Sequence, residues 1–145
     1  PTQIEQLADV TRQAREYGMP VLAMTYARGK GVDSTDPESL GHAVRLGEEL
    51  GADLVKTGYS GDGESFERVV ESTDLPVLIA GGSKGTNRQT VEMVRGAMDG
   101  GAAGVSMGRS IFQHERPAAI ASAVSAVIHD DASVDAALDA GGFEG

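Results

Sequence analysis

The chain of 145 residues contains no cysteine and no tryptophan. Without cysteine it can form neither a disulfide framework nor a thiolate metal site. No apolar run approaches the roughly 20 residues that a membrane-spanning helix requires, and the opening residues "PTQ" do not look like a signal peptide. These absences lead us to expect a soluble, cytoplasmic protein.

Positive charge is also scarce, since 12 lysines and arginines stand against 22 aspartates and glutamates, for a formal net charge of -10. No basic cluster interrupts this acidic surplus, so neither nucleic acid nor an anionic membrane surface is expected as a partner. A phosphorylated ligand would need local hydrogen-bond donors. The surplus suits a salt-rich cytoplasm, or else an ordinary acidic surface.

Four short apolar runs predict strands, and helical segments separate them. The strand runs are "VLAMTY", "DLVKTG", "LPVLIAGG" and "AGVSMG". The predicted helices cover about residues 4–14, 37–50, 64–72, 86–98, 116–128 and 133–140. The first of these helices has an apolar face formed by Ile4, Leu7, Ala8, Thr11 and Ala14. A capping box is predicted at Thr35, and another helix is predicted to begin at Thr86.

Helices between successive strands favour parallel pairing, because a parallel connection needs a crossover. The strand runs are continuous rather than alternating, which is typical of strands covered on both faces. The strands recur about every 25 to 30 residues, close to one βα unit of a (β/α)8 barrel, whose usual length is about 250 residues. An α/β fold is therefore predicted, either four units of such a barrel or an open doubly wound sheet.

Polar residues or glycines mark the end of every predicted strand. They are Tyr26 and Arg28 after the first strand, Lys56 in the second, Gly81, Gly82 and Ser83 after the third, and Gly108 and Arg109 after the fourth. Ligands of parallel α/β folds bind at the carboxyl ends of strands, so these residues should converge. Taken singly, a glycine pair is often only a tight turn, and a tyrosine is often a packing residue.

Lysine is scarce, and the chain contains only Lys30, Lys56 and Lys84. Lys56 directly follows an apolar pair, and burial of an ammonium group is costly unless the group is paired or neutralised. Removal from water favours the neutral amine, which is the nucleophile of Schiff-base chemistry. Two structural roles stay open for Lys56: reaching solvent from an edge strand, or pairing with an acid such as Asp62.

Two glycine-containing segments together predict a phosphate site. "IAGGSKGT" lacks the residue order of a Walker motif, and "SMGRSIFQ" follows the next strand. Phosphate sites of (β/α)8 barrels are commonly built by the loops after the last two strands and a helix N-terminus. The glycines let backbone N–H groups approach the phosphate, and Arg109 can add a charge-assisted hydrogen bond.

The histidines do not predict a metal site. His42 lies in a predicted helix and His129 near a helix end, whereas His114 follows the second glycine segment and could approach a ligand. A catalytic metal site needs several His or acidic ligands that converge at strand ends, and the sequence offers none. We therefore expect neither a metal nor another cofactor.

Four segments together resemble the archaeal-type class I aldolases: "LAMTYARG", "GADLVKTGYSGD", "PVLIAGGSKG" and "GAAGVSMGRSIFQHERP". The resemblance implies a (β/α)8 TIM barrel of which residues 1–145 supply about the last four βα units, as the C-terminal half of one domain. It further implies that Lys56 forms a Schiff base with a ketose phosphate and that Tyr26 donates a proton. The residues implied to bind substrate are Arg28 and, for the phosphate, Gly81, Gly82, Gly108 and Arg109.

The chain departs from the family pattern at Ala27, Ser83 and Ser110, where the family often has proline, proline and asparagine. These loops shape the substrate site, so substrate identity is less secure than chemistry. The matching part begins with the helix before the fifth strand. The N-terminal half, with the aspartate that the family uses there as acid/base, has no counterpart in these residues, and the isolated chain is expected to be inactive.

The segments "MTYARGKG", "FQHERP" and "VIHDDASVDAALDA" look closer to the branch with 2-amino-3,7-dideoxy-D-threo-hept-6-ulosonate synthase activity. That branch performs a transaldol reaction with L-aspartate semialdehyde, which feeds 3-dehydroquinate formation in aromatic amino acid biosynthesis. Class I fructose-bisphosphate aldolase is the alternative, and a non-catalytic half-barrel that binds phosphate is a second one. The expected partners are sugar phosphate and aldehyde substrates, with a homo-oligomer at full length.

Overall fold

The structure is a computed structural model that describes residues 2–82 and 85–143. Its strands are β1 (Leu22–Met24), β2 (Leu54–Thr57), β3 (Val77–Ala80) and β4 (Gly104–Ser106). Its helices are α1 (Thr2–Glu16), α2 (Pro37–Glu49), α3 (Gly63–Val70), α4 (Asn87–Asp99), α5 (Arg109–Phe112), α6 (Pro117–Asp130) and α7 (Val134–Ala140). None of the helices in these residues combines the length and apolarity that a bilayer crossing needs.

The four strands form one parallel sheet in the order β1-β2-β3-β4. Ala23 pairs with Val55, which pairs with Val77, so these three residues form one row across the sheet. All three are buried, and they share a core with Leu40, Val44, Phe66 and Val69 of helices α2 and α3. Full burial of one such side chain stabilises the fold by about 1.5–3 kcal/mol.

The strand order decides between the two predicted architectures. A right-handed crossover to the next strand always moves the chain in the same direction and leaves each helix on the same face of the sheet. A doubly wound sheet reverses this direction once, whereas the order β1-β2-β3-β4 has no reversal. The fold is therefore α/β with the winding of a (β/α)8 barrel, as four βα units of a partial barrel.

Among the described residues, helices cover only one face of the sheet, although the continuous apolar runs are typical of strands covered on both faces. Burial alternates along β2 and β3, and the buried positions belong to the face that packs against helices. On the other face Leu22 is 38% exposed and Met24 is 67% exposed. The runs read as continuous because both faces carry apolar side chains. In a closed barrel this second face would point inward.

The helix boundaries follow local capping chemistry, with one correction. The predicted helix start at Thr86 is confirmed, and it is a capping box, since the Thr86 hydroxyl accepts from Gln89 N–H and the Gln89 side chain accepts from Thr86 N–H. The cap of α2 is Asp36 rather than Thr35, because the Asp36 carboxylate accepts from Ser39 N–H. Thr35 instead donates its hydroxyl to Asp33.

Helix α1 is less buried than its apolar pattern predicts. Ile4 is 42% exposed, although Thr11 of the same predicted face is buried. The Thr11 hydroxyl donates to the Leu50 carbonyl at 2.6 Å and thereby attaches α1 to the end of α2. Ile4 lies near the start of α1, before this contact at Thr11, and is therefore not covered by α2.

The C-terminal helices form a second apolar cluster. It contains Val91 and Val94 of α4, Ile120 and Val127 of α6, and Leu138 of α7. The predicted tail helix is confirmed as α7, and it packs on α4 and α6 rather than hanging free. This cluster fixes the helices that follow β3 and β4, whose loops carry the predicted phosphate residues.

Candidate active site

Lys56 lies on an internal strand of the sheet. Its Cα pairs with Met24 on one side and with Leu78 on the other. Its neighbours Val55 and Thr57 are both 0% exposed on the helix side, whereas Lys56 is only half-buried. Since side chains alternate along a strand, Lys56 belongs to the face without helices. The interpretation of Lys56 as an edge-strand lysine is therefore wrong.

The second structural role considered for Lys56 also fails. Within residues 2–82 and 85–143, Lys56 forms no ion pair within 4.0 Å. Asp62 instead caps α3, where it accepts from the backbone N–H of Ser65 at 2.8 Å and from its hydroxyl at 2.9 Å. These hydrogen bonds, the backbone bond first, lower the pKa of Asp62. An amine without a carboxylate partner can serve as a nucleophile once it is deprotonated.

Tyr26 follows β1 on the same side of the molecule. Thr25 N–H donates to the Lys56 carbonyl at 2.8 Å, so the β1–β2 ladder continues one residue beyond β1. Tyr26 comes two residues after Met24, and by alternation it belongs to the face that holds Lys56. Its side chain is 37% exposed. The Arg28 guanidinium carbon lies 5.1 Å from the centre of the Tyr26 ring, a cation–π contact that joins the two predicted residues.

The loops after β3 and β4 meet through Ser110. Its hydroxyl donates to the Gly81 carbonyl at 3.0 Å. A Cβ at Gly81 would lie 2.9 Å from the Ser110 oxygen, so only glycine permits this approach. Gly82 has a φ of +61°, a left-handed conformation that favours glycine. The predicted convergence of Gly81 and Gly82 with the segment after β4 is thus supported, whereas Ser83 lies outside the described residues.

A cavity of about 400 Å³ adjoins these loops. Its lining includes Asn87, Arg109, Ser110, His114, Arg116 and Phe143. Arg109 therefore reaches the cavity, while Gly81, Gly82 and Gly108 are not among the described lining residues and connect to it through Ser110 and the start of α5. The two loops that carry the predicted phosphate residues are in contact. Of these residues, Arg109 is the one that the cavity lining includes among the described residues.

His114 lies in the wall of this cavity, but both of its ring nitrogens are engaged by protein. Nε2 lies 2.8 Å from the Asn87 Oδ1 atom, and Nδ1 accepts from the Arg116 N–H at 2.9 Å. The ring also meets Phe143 edge-on, with 5.8 Å between centroids. Sequence reasoning missed Asn87 and Phe143, because neither belongs to a motif and both contacts join distant parts of the chain.

The remaining histidines lie away from the strand ends. His42 is exposed on α2, and His129 is exposed near the end of α6. In the part of the chain that the structure describes, no three His, Asp or Glu side chains are grouped as a metal site would require.

Comparison with known proteins identifies the family to which the chain is similar. Residues 1–114 match the DeoC/LacD family aldolases. The chain is 58% identical over 143 residues to 2-amino-3,7-dideoxy-D-threo-hept-6-ulosonate synthase of Halobacterium salinarum, covering 99% of this chain and 54% of that protein. It is 38% identical over 136 residues to the class 1 fructose-bisphosphate aldolase of Halobacterium salinarum, covering 92% of this chain and 52% of that protein.

A solved structure extends the comparison to the fold. An archaeal fructose-1,6-bisphosphate aldolase whose catalytic Lys is covalently bound to the carbinolamine intermediate of its substrate matches with a TM-score of 0.82 and 33% identity. The match covers 86% of this chain and 51% of that chain. The chain thus spans about half the length of the relatives that it matches.

Proposed function

The chain belongs to the DeoC/LacD family of aldolases, and from this we propose that the protein is a Schiff-base aldolase or transaldolase that acts on a ketose phosphate. The observation that carries the proposal is Lys56, a lysine on an internal strand, on the helix-free face of the sheet, with no ion pair in residues 2–82 and 85–143. Similarity to an aldolase with a covalently bound catalytic Lys supports the same chemistry.

In the proposed reaction the Lys56 amine attacks the ketose carbonyl carbon. The carbonyl oxygen takes up a proton, and loss of water from the carbinolamine gives a protonated Schiff base. A base takes the proton of the hydroxyl group on the carbon that will leave, and the electron pair of the C–C bond between this carbon and its neighbour moves toward the Schiff base. This bond breaks, so an aldehyde leaves and an enamine stays on Lys56. The enamine then takes up a proton, as in an aldolase, or adds to a second aldehyde, as in a transaldolase, and water releases the product.

Tyr26 is the proposed proton donor of this cycle, and Arg28 is proposed to line the substrate. Support comes from the β1–β2 register, which assigns Tyr26 to the face of Lys56, and from the contact of Arg28 with the Tyr26 ring. A phenol hydroxyl within hydrogen-bond reach can donate its proton to a developing alkoxide. The aspartate that the family uses as acid/base lies in the half that these residues do not represent.

The phosphate group is proposed to bind between Gly81-Gly82 and Gly108-Arg109. The hydrogen bond from Ser110 to Gly81, together with the left-handed backbone of Gly82, supports one continuous site made by both loops. Arg109 is the cation of this site, and its side chain lines the adjoining cavity. A guanidinium and backbone N–H groups together suit a phosphate better than either does alone.

Between the two named activities we favour the transaldol reaction of 2-amino-3,7-dideoxy-D-threo-hept-6-ulosonate synthase, with L-aspartate semialdehyde as acceptor. Its support is the identity of 58% with the Halobacterium salinarum synthase against 38% with the class 1 fructose-bisphosphate aldolase of the same species. The net charge of -10 further supports a salt-rich cytoplasm as its setting. Assay of each substrate pair with one preparation separates the two activities.

A non-catalytic, phosphate-binding role is the second candidate function. It is favoured by the sheet itself, because β1 and β4 each pair with only one described strand and no described helix covers the face with Lys56. Such a protein would bind phosphate without forming a covalent intermediate.

Reductive trapping tests the proposal directly. Borohydride added to the full-length protein with a ketose phosphate should reduce the Schiff base to a stable secondary amine, and mass spectrometry of the digest should locate the adduct on Lys56. Lys56→Arg should abolish trapping, since guanidinium forms no Schiff base under these conditions. Lys30→Arg is the matched control, because Lys30 is exposed in the loop after β1, and it should be trapped like the wild type. An adduct on Lys30 or Lys84, or none, contradicts the assignment.

A further inference from the structure

Helix α5 has only four residues, and its position depends on contacts with other parts of the chain. An isolated helix this short is unstable in water, because nucleation costs more than one turn of hydrogen bonds returns. Its N-cap residue Gly108 supplies no side-chain cap. Yet α5 begins with Arg109, the cation of the proposed phosphate site, so whatever holds α5 also sets the position of that cation.

Two hydrogen bonds hold α5 to the segment that follows β3, one at each end. At its start, Ser110 Oγ donates to the Gly81 carbonyl at 3.0 Å. Beyond its end, His114 N–H donates to the Ile111 carbonyl, and the His114 ring reaches Asn87 at 2.8 Å. Gly81 directly follows β3, and Asn87 is the first residue of α4. Loss of either bond would leave α5 held at one end.

The hydrogen bonds of the His114 ring determine which of its two nitrogens carries the proton when the ring is neutral. Nδ1 accepts from the Arg116 backbone N–H at 2.9 Å and therefore carries no proton. The neutral ring then has its proton on Nε2, which donates to Asn87 Oδ1. Asn87 is oriented by this bond, with its oxygen toward His114. The Phe143 ring packs edge-on against the same imidazole and limits its rotation.

We propose that His114 is a positioning residue: its ring, oriented by the Arg116 backbone N–H, bonds to Asn87 of α4, and this bond to Asn87 clamps the far end of α5 and so holds Arg109 in place for the phosphate of the substrate. The inference rests on the proposed function of the site. His114 itself need not touch substrate, because both of its nitrogens are occupied by protein groups.

The geometry of the ring allows the two bonds to be removed one at a time. In His114→Asn, the side-chain oxygen can replace Nδ1 as acceptor for Arg116 N–H, while the arm to Asn87 is lost. In His114→Gln, the longer amide can still donate to Asn87, while the acceptor near Arg116 is lost. Asn87→Ala removes the opposite partner of the clamp. His129→Gln is the matched control, because His129 is exposed at the end of α6.

Two measurements on the full-length protein test the clamp: steady-state kinetics with the phosphorylated ketose, and the Kd of inorganic phosphate. His114→Asn and Asn87→Ala should each raise the KM about tenfold, the scale of one lost hydrogen bond, and weaken phosphate binding similarly. The kcat should change by less than about twofold, because the groups that react with the carbonyl are untouched. His114→Gln should recover most of the affinity, and His129→Gln should match the wild type.

The double variant His114→Asn/Asn87→Ala should be no weaker than either single variant, because both remove the same bond. Additive losses, an unchanged KM, or a loss confined to kcat would overturn the inference while leaving Schiff-base trapping at Lys56 intact. Conversely, phosphate binding that depends on His114 and Asn87 in a protein that borohydride does not trap would uphold the clamp and refute the proposed function.

Discussion

Thr57 carries a buried hydroxyl that has no partner among the described residues, and its removal should stabilise the protein. The residue is 0% exposed on the helix side of β2, directly after Lys56, and its Cα pairs with Ile79. Its Oγ1 has no hydrogen-bond partner in residues 2–82 and 85–143. Valine has nearly the same shape and the same stiff χ1 preference, so Thr57→Val replaces only the hydroxyl by a methyl group.

The expected gain follows from the desolvation of that hydroxyl. A buried donor or acceptor without a partner costs about 1–3 kcal/mol, and its apolar surroundings offer no compensation. We expect Thr57→Val to raise the free energy of unfolding by about 1–2 kcal/mol, the lower part of that range, because the neighbours must adjust slightly to the new methyl group.

Thr11→Val is the matched comparison, since Thr11 is also buried but its hydroxyl donates to the Leu50 carbonyl at 2.6 Å. This substitution should lower the free energy of unfolding by about 1 kcal/mol. Urea titrations of both variants at one pH give the two values, with equal m-values as the check on a common unfolding transition. If Thr57→Val destabilises the protein as much as Thr11→Val does, the Thr57 hydroxyl has a partner and the reasoning fails.

Three further predictions concern the cation of the phosphate site, the acidic helix caps and the activity of residues 1–145 expressed alone. Arg109→Ala should raise the KM for the phosphorylated substrate more than it lowers kcat, whereas Arg45→Ala, which removes only an exposed ion pair with Glu49, should change neither in steady-state assays. Hydrogen bonds from Ser39 and Ser65 lower the pKa values of Asp36 and Asp62, so their contribution to stability is present above the ordinary pKa and is lost as the pH falls through the lowered one. Asn substitutions at both positions keep the caps, and should make the acid loss of stability below about pH 4 shallower in urea titrations at several pH values. Residues 1–145 expressed alone should show little aldolase activity and should associate on size-exclusion chromatography, because β1 and β4 each have one edge that pairs with no described strand; a monodisperse monomer with full activity would contradict this.

The chain order of the elements, and the positions on them of the proposed site residues, could be predicted from sequence because their signals are local. A lysine within the apolar run of β2 and glycines after β3 are visible in a few neighbouring letters, and parallel pairing follows from the helices between the strands. The structure supports these predictions, since Lys56 lies on β2 and Ser110 joins the loop of Gly81.

The direction of winding could not be predicted, because right-handed crossovers occur in both candidate folds and their strand runs look alike. The uncovered sheet face could not be predicted either, because Leu22 and Met24 on that face are apolar and look like buried residues in the sequence. No described helix covers them. Helix α5 is too short for a periodic pattern. The contact of His114 with Asn87 joins residues 27 positions apart, and no local pattern encodes such a pair.

Because side chains of β2 alternate between the two faces of the sheet, the candidate site depends on Lys56 keeping its position in this alternation. Val55 and Thr57 are enclosed by helices, while Lys56 between them belongs to the opposite face. An insertion or deletion of one residue within the strand would turn the lysine into the core and expose its neighbours, because a slip of one position exchanges the two faces. The loops around the site can gain or lose single residues during evolution. Within β2, only a change of two residues keeps Lys56 on its face of the sheet.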